Sequence, residues 1–457
     1  MYTQFKEVSL LKRKAYDQLL AWKERDQGRT ALLIEGARRV GKSTLAQEFG
    51  RKEYRSCLFI DFYRASNDVK ALFDDLADDL DSLFAYLSGI YGVPLYERQS
   101  LIVLDEIQFF PRARGLVKYF VEDGRFDFIE TGSLVSIKMN TKDILIPSEE
   151  VPLELAPFDF EEFLWALEEA PLAELIRNAR ERMQPLPDAL HKKASRLFRE
   201  YLLVGGMPAP VAEYAKNRSF TNAEAEKAKI LTLYRNDIAR FAGGYEYKVT
   251  SVFDEIPSQL SKHEKKFRLS ALQSDARMRT YEEAFFWLSD ARIANICYNT
   301  TDPHVGLSLY EDRPTLKCYM ADTGLLATHA FGGESKEAEN LYRDVLLGKL
   351  QINEGMLVEN AVAQSLKAQG RKLWFYSRHS SNPDDRMEID FLTSAGNPHA
   401  KIVPIETKST KRYTTTSLDK FKKKYGSRIG DEYVVHPGQL RHEGDRTYLP
   451  LYMVHAL

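Results

Sequence analysis

The chain has 457 residues, enough for about two to four domains, and its 44% hydrophobic and 28% charged content is that of an ordinary soluble globular protein. A net charge of −2 gives no global signature of nucleic-acid binding, so any basic surface has to be local. No run of about 18 apolar residues exists, which argues against a membrane span. The opening Met1-Tyr-Thr-Gln-Phe-Lys lacks a signal peptide's apolar core, so the cytoplasm is the expected compartment. Cys57, Cys297 and Cys318 are far apart in apolar segments, and read as core residues in a reducing compartment rather than disulfides or metal ligands.

In chain order, residues 1–30 read as an amphipathic helix around Tyr16–Trp22. Ala31-Leu-Leu-Ile34 reads as a buried strand, and Thr44–Gly50 as a helix. Between them Gly36-Ala37-Arg38-Arg39-Val40-Gly41-Lys42-Ser43 is a complete G-x-x-x-x-G-K-[ST] loop in the strand–loop–helix setting that a phosphate-binding loop needs. Backbone N–H groups from Gly36 to Thr44 and the helix N-terminus present positive partial charge to phosphates. Lys42 is expected on the β- and γ-phosphates and the Ser43 hydroxyl on Mg²⁺. Cys57-Leu-Phe-Ile-Asp61 reads as a neighbouring strand, and the acidic run Asp74–Asp81 as a solvated helix face.

Leu101-Ile-Val-Leu-Asp105-Glu106 is a buried strand that delivers two carboxylates. Asp105 is expected to hold Mg²⁺ through water, and Glu106 to polarise the attacking water. A third strand, Phe126–Glu130, ends in Thr131-Gly132-Ser133, where a polar side chain, Ser133, is placed to sense the γ-phosphate. No guanine-reading Asn-Lys-x-Asp element follows this strand, which favours ATP over GTP. Leu153–Leu164 reads as the last strand turning into a helix. The alternation of strands and helices argues a parallel sheet in an α/β fold.

Residues 166–255 are strongly helical, punctuated by Tyr201-Leu-Leu-Val-Gly-Gly-Met-Pro208. Residues 256–330 show three short helical patterns, Ile256–Leu260, Leu269–Gln273 and Thr280–Ser289, then two strand-like pieces, Ile293–Tyr298 and Leu316–Met320. That outline is a winged helix, read either as a DNA-binding module or as a packing domain, since Thr280–Ser289 is poor in basic residues. Residues 331–350 read as a charged linker. The expected domains are therefore 1–165, 166–255, 256–335 and 336–457.

In the last of these, Glu354–Gly370 reads as a helix carrying Glu359 and Asn360. Leu373–Tyr376, Glu388-Ile-Asp390-Phe-Leu392 and Ile402-Val-Pro-Ile-Glu406-Thr-Lys408 read as strands. Residues two apart on a strand share a face, so Glu406 and Lys408 point the same way and Asp390 on an adjacent strand can meet them. Asp390 and Glu406 as Mg²⁺ ligands, completed by Glu359, with Lys408 positioning or deprotonating water, form a phosphodiester-hydrolysis site. Surface ion pairs are the alternative reading. Residues 401–430 hold nine Lys or Arg against two acids, Glu406 and Asp419. The excess suits a phosphate backbone or, more plainly, a solvated face.

Taken together the motifs resemble a known group. Gly36–Ser43 with Arg38-Arg39, Leu104-Asp-Glu-Ile-Gln108, Thr131-Gly-Ser133, Pro157-Phe-Asp-Phe-Glu-Glu-Phe163, Gly205-Gly-Met-Pro208, Asp322-Thr-Gly-Leu-Leu326, Gly355-Met-Leu-Val-Glu359-Asn360, Glu388-Ile-Asp390-Phe391 and Glu406-Thr-Lys408 are similar to prokaryotic AAA-type ATPases. These join a P-loop domain to an uncharacterised C-terminal domain resembling PD-(D/E)xK nucleases. The resemblance implies a RecA-like ATPase core, a helical lid, a winged-helix module and a nuclease-like α/β end domain. It also implies ATP and Mg²⁺ as cofactors, DNA as a partner, and Gly206 and Pro208 near the adenine. A homo-oligomer is open to such a protein. Many members carry a Gly-Arg before the Pro-Phe-x-Phe-Glu element, a candidate arginine finger. Here the region reads Pro147-Ser-Glu-Glu150, so the finger would come from Arg112, Arg114, Arg125 or a partner. The leading expectation is an ATP-hydrolysing switch or motor on nucleic acid whose end domain binds or cuts DNA. An ATP-controlled scaffold and a non-cutting DNA remodeller are the alternatives.

Overall fold

The computed structural model of the chain describes residues 11–132, 148–262, 265–332, 342, 344–346, 353–394 and 401–457. It falls into two compact units, one formed by Lys12–Ala156 with Asp290–Arg292, the other mainly by Pro157–Ser289 with Ile293–Leu457. The expected residue Ser133 and most of the expected linker at 331–350 lie outside the described residues. No helix among those described is long and apolar enough to cross a membrane.

In the first unit, α1 (Ala15–Asp26) buries Leu19 and Trp22, one turn apart on its apolar face. It is followed by β1 (Ala31–Glu35), α2 (Lys42–Glu53), β2 (Ser56–Asp61), α3 (Asn67–Asp75), α4 (Leu80–Tyr91), β3 (Ser100–Asp105), α5 (Pro111–Asp123), β4 (Asp127–Gly132) and β5 (Glu150–Glu154). The strands form one sheet in the order β2-β3-β4-β1-β5, with every pairing parallel. Every residue of β3 and β4 is buried, as the continuous apolar runs require of a sheet covered on both faces. Burying each large aliphatic or aromatic side chain contributes about 1.5–3 kcal/mol. Cys57–Asp61 is a strand as expected, but it borders β3 at the sheet edge. The acidic run closes α3 and opens α4, where the Asp79 carboxylate caps the helix by accepting from the Ser82 N–H at 3.1 Å.

The second unit begins with α6 (Phe160–Ala166). Its start is a reciprocal cap: Asp159 accepts from the Glu162 N–H at 2.9 Å and Glu162 from the Asp159 N–H at 3.1 Å. Helices α7 (Ala170–Glu181), α8 (Asp188–Val204), α9 (Pro208–Asn217), α10 (Phe220–Phe241), α11 (Glu246–Ser261) and α12 (Met278–Asp290) follow. Then come β6 (Ala294–Thr300), β7 (Glu311–Met320), α13 (Thr323–Phe331), α14 (Asn353–Ala368), β8 (Leu373–Arg378), β9 (Met387–Ser394), β10 (Ile402–Thr407), α15 (Thr416–Tyr425), β11 (Glu432–His436), β12 (Arg441–Glu443) and β13 (Arg446–Pro450). The strands of this unit build one mixed sheet, β12-β13-β11-β10-β9-β8-β6-β7.

That sheet corrects the expected winged helix. Ile256–Leu260 is the end of α11, and only Leu269–Ala271 of the next pattern is helical, as a 3-10 turn. The two strands expected as a wing do pair antiparallel, but β6 also pairs in parallel with β8, Cys297 opposite Leu373. The expected boundary at 335/336 therefore crosses a continuous sheet. An isolated hairpin is marginal in water, and β6 and β7 bury Ala294, Cys297, Cys318, Tyr319 and Met320 within the larger sheet.

Three of the recognition motifs meet in one buried polar network. The Gly206 N–H donates to Asp322 Oδ2 at 2.6 Å, and Asp322 Oδ1 caps α13 by accepting from the Leu325 N–H at 2.8 Å. The Asn360 amide donates to Met320 O and Thr323 Oγ1, while Gln364 accepts from the Thr323 N–H and hydroxyl. A Cβ at Gly206 would stand 2.1 Å from Phe158 O, and one at Gly324 2.3 Å from Val204 O, so backbone contact fixes both glycines. Pro208 is the first residue of α9, a position where proline's missing N–H costs nothing.

Candidate functional site

The phosphate-binding loop leaves the C-terminal end of β1. Gly36 lies against the last turn of chain after β5, where a Cβ would approach Leu155 O to 2.4 Å. Ala37 and Val40 are buried and hold the loop from beneath, while Arg38, Arg39 and Thr44 are exposed. Arg39 (φ 70°) and Gly41 (φ 99°) adopt left-handed backbone, which turns the loop and starts α2 at Lys42. The first-turn N–H groups of α2 thus face the loop's interior. The Lys42 ammonium donates to Gly36 O at 3.0 Å and Ala37 O at 3.1 Å. Arg13, which belongs to no motif, donates to Val40 O at 3.1 Å and Ala156 O at 2.6 Å and so pins the loop to the chain just after β5.

Strand β4 lies between β1 and β3, so its end separates the loop from the acids. Thr131 fills that position. Its hydroxyl donates to Asp105 Oδ1 at 2.5 Å, and its Oγ1 accepts from the Glu106 N–H at 3.3 Å. Burial pushes the Asp105 carboxyl above its ordinary range, hydrogen bonds from Ser43 and Thr131 pull it back, and Glu106 and Asp61 push it up again. Glu106 is half-buried in left-handed backbone (φ 54°), and Gln108 Nε2 donates to its Oε2. A non-glycine residue held there stores strain of order 1–3 kcal/mol, and such strain clusters at working sites. The structure thus links Ser43, Asp105, Thr131 and Glu106 in one polar chain.

None of the three candidate finger arginines in this unit is without an acidic partner. Arg112 pairs with Asp74, buried Arg114 with Glu150 at 2.9 Å, and Arg125 with Asp81 and Asp123. A fourth arginine, Arg292, reaches Glu35 at 3.2 Å and Glu154 at 3.0 Å, anchoring the ends of β1 and β5.

In the second unit, α14 brings Glu359, β9 brings Glu388 and Asp390, and β10 brings Glu406 toward one region of the sheet. Lys408 Nζ donates to Glu406 Oε1 at 2.7 Å, and Asp390 Oδ2 accepts from the Thr407 N–H and hydroxyl at 2.8 and 2.7 Å. A residue of β7 decides the character of the cluster. Lys317, fully buried, places its ammonium 3.2 Å from Glu359, 3.0 Å from Glu388 and 3.8 Å from Asp390. Lys265 and the Tyr319 hydroxyl complete the Glu359 carboxylate. Burial alone would raise Glu359, yet Lys265 and Lys317 outweigh it and hold the group down to about 2. Asp390 is pushed up by burial and by Glu359. Burial likewise raises Glu406 to about 7 against the pull of Lys408, and its Oε2 has no hydrogen-bond partner.

The expected metal ligands Glu359, Asp390 and Glu406 thus come to one region of the sheet, with Lys408 beside Glu406. Among the described residues no group of three or more His, Cys, Asp or Glu is placed to hold a metal ion. Lys317 and Lys265 supply positive charge beside Glu359, and Lys317 also lies beside Glu388 and Asp390. Lys317 escaped the sequence reading because its strand was assigned to another domain. The available signal was a lysine inside the apolar run Leu316–Met320.

Residues 28–164 match the model of the AAA domain family, 195–337 that of a domain of unknown function (DUF8612), and 354–454 that of a domain of unknown function (DUF4143). The loop, the parallel sheet and the acids of β3 agree with the match of residues 28–164 to an AAA-type P-loop domain. Similar solved structures include the Walker-type ATPase PABY2304 of Pyrococcus abyssi, at 16% identity over 71% of this chain and 97% of that chain, TM-score 0.41. AMPPCP-bound DnaA from Aquifex aeolicus is 12% identical over 63% and 89%, TM-score 0.29. The Aeropyrum pernix ORC1 protein in complex with DNA is 14% identical over 73% and 94%, TM-score 0.27. All three scores lie below 0.5, so the family match over 28–164 carries the assignment. No curated protein matches the chain.

Proposed function

We propose that the protein is an ATP-hydrolysing switch acting on nucleic acid, whose C-terminal domain engages nucleic acid without metal-dependent cleavage. The observation that carries the nucleotide part is the chain Ser43–Asp105–Thr131–Glu106 across neighbouring strand ends. In this reading Lys42 and the first-turn N–H groups of α2 bind the β- and γ-phosphates. The Ser43 hydroxyl is hydrogen-bonded to Asp105, and in this reading those two residues would hold a Mg²⁺ ion, Asp105 through water. The ion supplies neutralisation of phosphate charge. Glu106 orients the attacking water and takes its proton. Ser133 as γ-phosphate sensor belongs to the same proposal.

The nucleic-acid part is supported by local charge. Of the nine basic residues in 401–430, Lys408, Lys422, Lys424 and Arg428 pair with carboxylates. Lys401, Lys411, Arg412, Lys420 and Lys423 have no carboxylate partner among the described residues, which leaves a positive surplus for a phosphate backbone. The lysine-balanced acidic cluster favours binding over cutting. Lys42→Ala is expected to abolish nucleotide binding, and Glu106→Gln to retain binding while losing hydrolysis, measured by labelled-nucleotide titration and phosphate release. Wild-type turnover in Glu106→Gln would sink the site assignment.

A further inference from the structure

Strands β10, β11 and β13 run parallel to one another. Outside their carboxyl ends, where open α/β sheets form ligand crevices, the second unit holds a cleft of about 640 Å³. Its lining includes Lys411, Arg412 and Arg441 with His191, Tyr413 and His436, and no carboxylate. Lys411 and Arg412 are exposed, with no carboxylate partner among the described residues. Arg441 stacks on the Tyr448 ring, 3.9 Å from its centroid, and its pair with exposed Glu443 is of the solvent-screened kind worth little.

Beneath these cations the floor is rigid and neutral. The Tyr413 hydroxyl lies 2.8 Å from His436 Nδ1 and Gln439 O lies 3.2 Å from Nε2, which assigns the proton to Nε2 and makes the tyrosine the donor. Burial, chiefly, lowers His436 to about 4, so it stays uncharged at neutral pH. Gly438 leaves bare backbone against this ring, since a Cβ there would stand 2.5 Å from His436 Cε1. His191 is held between the Tyr452 hydroxyl at 3.0 Å and the Pro437 backbone.

Three cations, two of them guanidinium forks and only Arg441 with a carboxylate partner, the solvent-screened Glu443, match a compact multivalent oxyanion. We propose that this cleft is a phosphate-binding site, with Lys411, Arg412 and Arg441 as the anion's ligands, and that it seats a phosphate of nucleic acid. The source named here rests on the reading that the protein acts on nucleic acid; the phosphate chemistry does not. The cleft then serves as the anchor that sets the register of a strand on the C-terminal domain.

The test uses the full chain in a Lys42→Ala background, so that the P-loop does not report. A short 3′-labelled single-stranded oligonucleotide, with a 5′-phosphate or a 5′-hydroxyl, is titrated by fluorescence anisotropy against this protein, the added double change Lys411→Ala/Arg412→Ala, and the added control Lys423→Ala. Both arms alter exposed side chains, and melting curves verify folding. The expected result is a loss of roughly tenfold or more in affinity for the double change, a much smaller loss for the control, and competition by millimolar inorganic phosphate. Equal affinity in the double change and its parent overturns the proposal, as does competition by poly-glutamate but not phosphate, which would reassign the cleft to an acidic protein. If the oligonucleotide does not bind, but inorganic phosphate raises the melting temperature of the parent and not of the double change, the phosphate site stands and the nucleic-acid reading falls. No response in either arm overturns both.

Discussion

Thr131 couples the two acids of the nucleotide site through one hydroxyl: it donates to Asp105 and receives the Glu106 N–H. Thr131→Val keeps the shape and removes both links. Turnover of ATP is expected to fall about 10–100-fold with little change in KM, because the lost interactions position groups that act in the transition state. A rise in KM at unchanged kcat would place Thr131 in ground-state binding instead. Glu406 reports the other site. Its folded-state carboxyl is raised from the ordinary 4.5 to about 7, so the folded chain holds that proton more tightly than the unfolded one. The stability this provides is complete below about pH 4.5, declines as pH rises through 7, and is gone above it, a loss on the order of 3 kcal/mol. Glu406→Gln should therefore flatten the pH dependence of thermal melting, matching wild type near pH 5 and melting higher near pH 8. A variant that melts lower than wild type at about pH 8 would contradict this account of the buried carboxyl.

At the scale of elements, the Gly205-Gly206 turn approaches backbone closely on two sides, Gly205 against Gly324 at the start of α13 and Gly206 against Phe158. Gly206→Ala puts a methyl 2.1 Å from Phe158 O, which cannot yield as a flexible side chain would. A destabilisation of about 3 kcal/mol is expected. Gly89→Ala, inside α4 with nothing within 4 Å of the new methyl, should stabilise by about 0.5–1 kcal/mol through helix propensity. Melting of both variants in parallel checks the contrast; equal effects would mean that the close approach is not what fixes Gly206. The elements that sequence reading placed well, β1 with its loop, β3 and β4, are those where an unbroken apolar run ends in a chemically defined motif. Strand order was not legible, because parallel pairing is non-local: Thr131 reaches Asp105 only because β4 inserts between β1 and β3. Lys317 was hidden for the same reason, since the parallel pairing of β6 with β8 brings the β6–β7 hairpin, and Lys317 with it, into the C-terminal sheet.

At the scale of the molecule, one unit carries the AAA-type nucleotide site and the other a mixed sheet whose acidic cluster is balanced by lysines and whose strand ends carry an unbalanced basic cleft. A switch requires that the two communicate: nucleic acid bound by the second unit must change the rate at which the first turns over ATP, with a coupling of typically 1–3 kcal/mol. An ATP-driven scaffold with an inert C-terminal domain has no such requirement. The decisive measurement is the steady-state ATPase rate of the full chain with Mg²⁺, with and without single-stranded and duplex DNA, the DNA being recovered and sized afterwards. The account requires a rate that rises about fivefold or more with DNA, is lost in Glu106→Gln, and leaves the DNA uncut. A rate indifferent to every DNA, or a metal-dependent cut that Lys408→Ala removes, would contradict it.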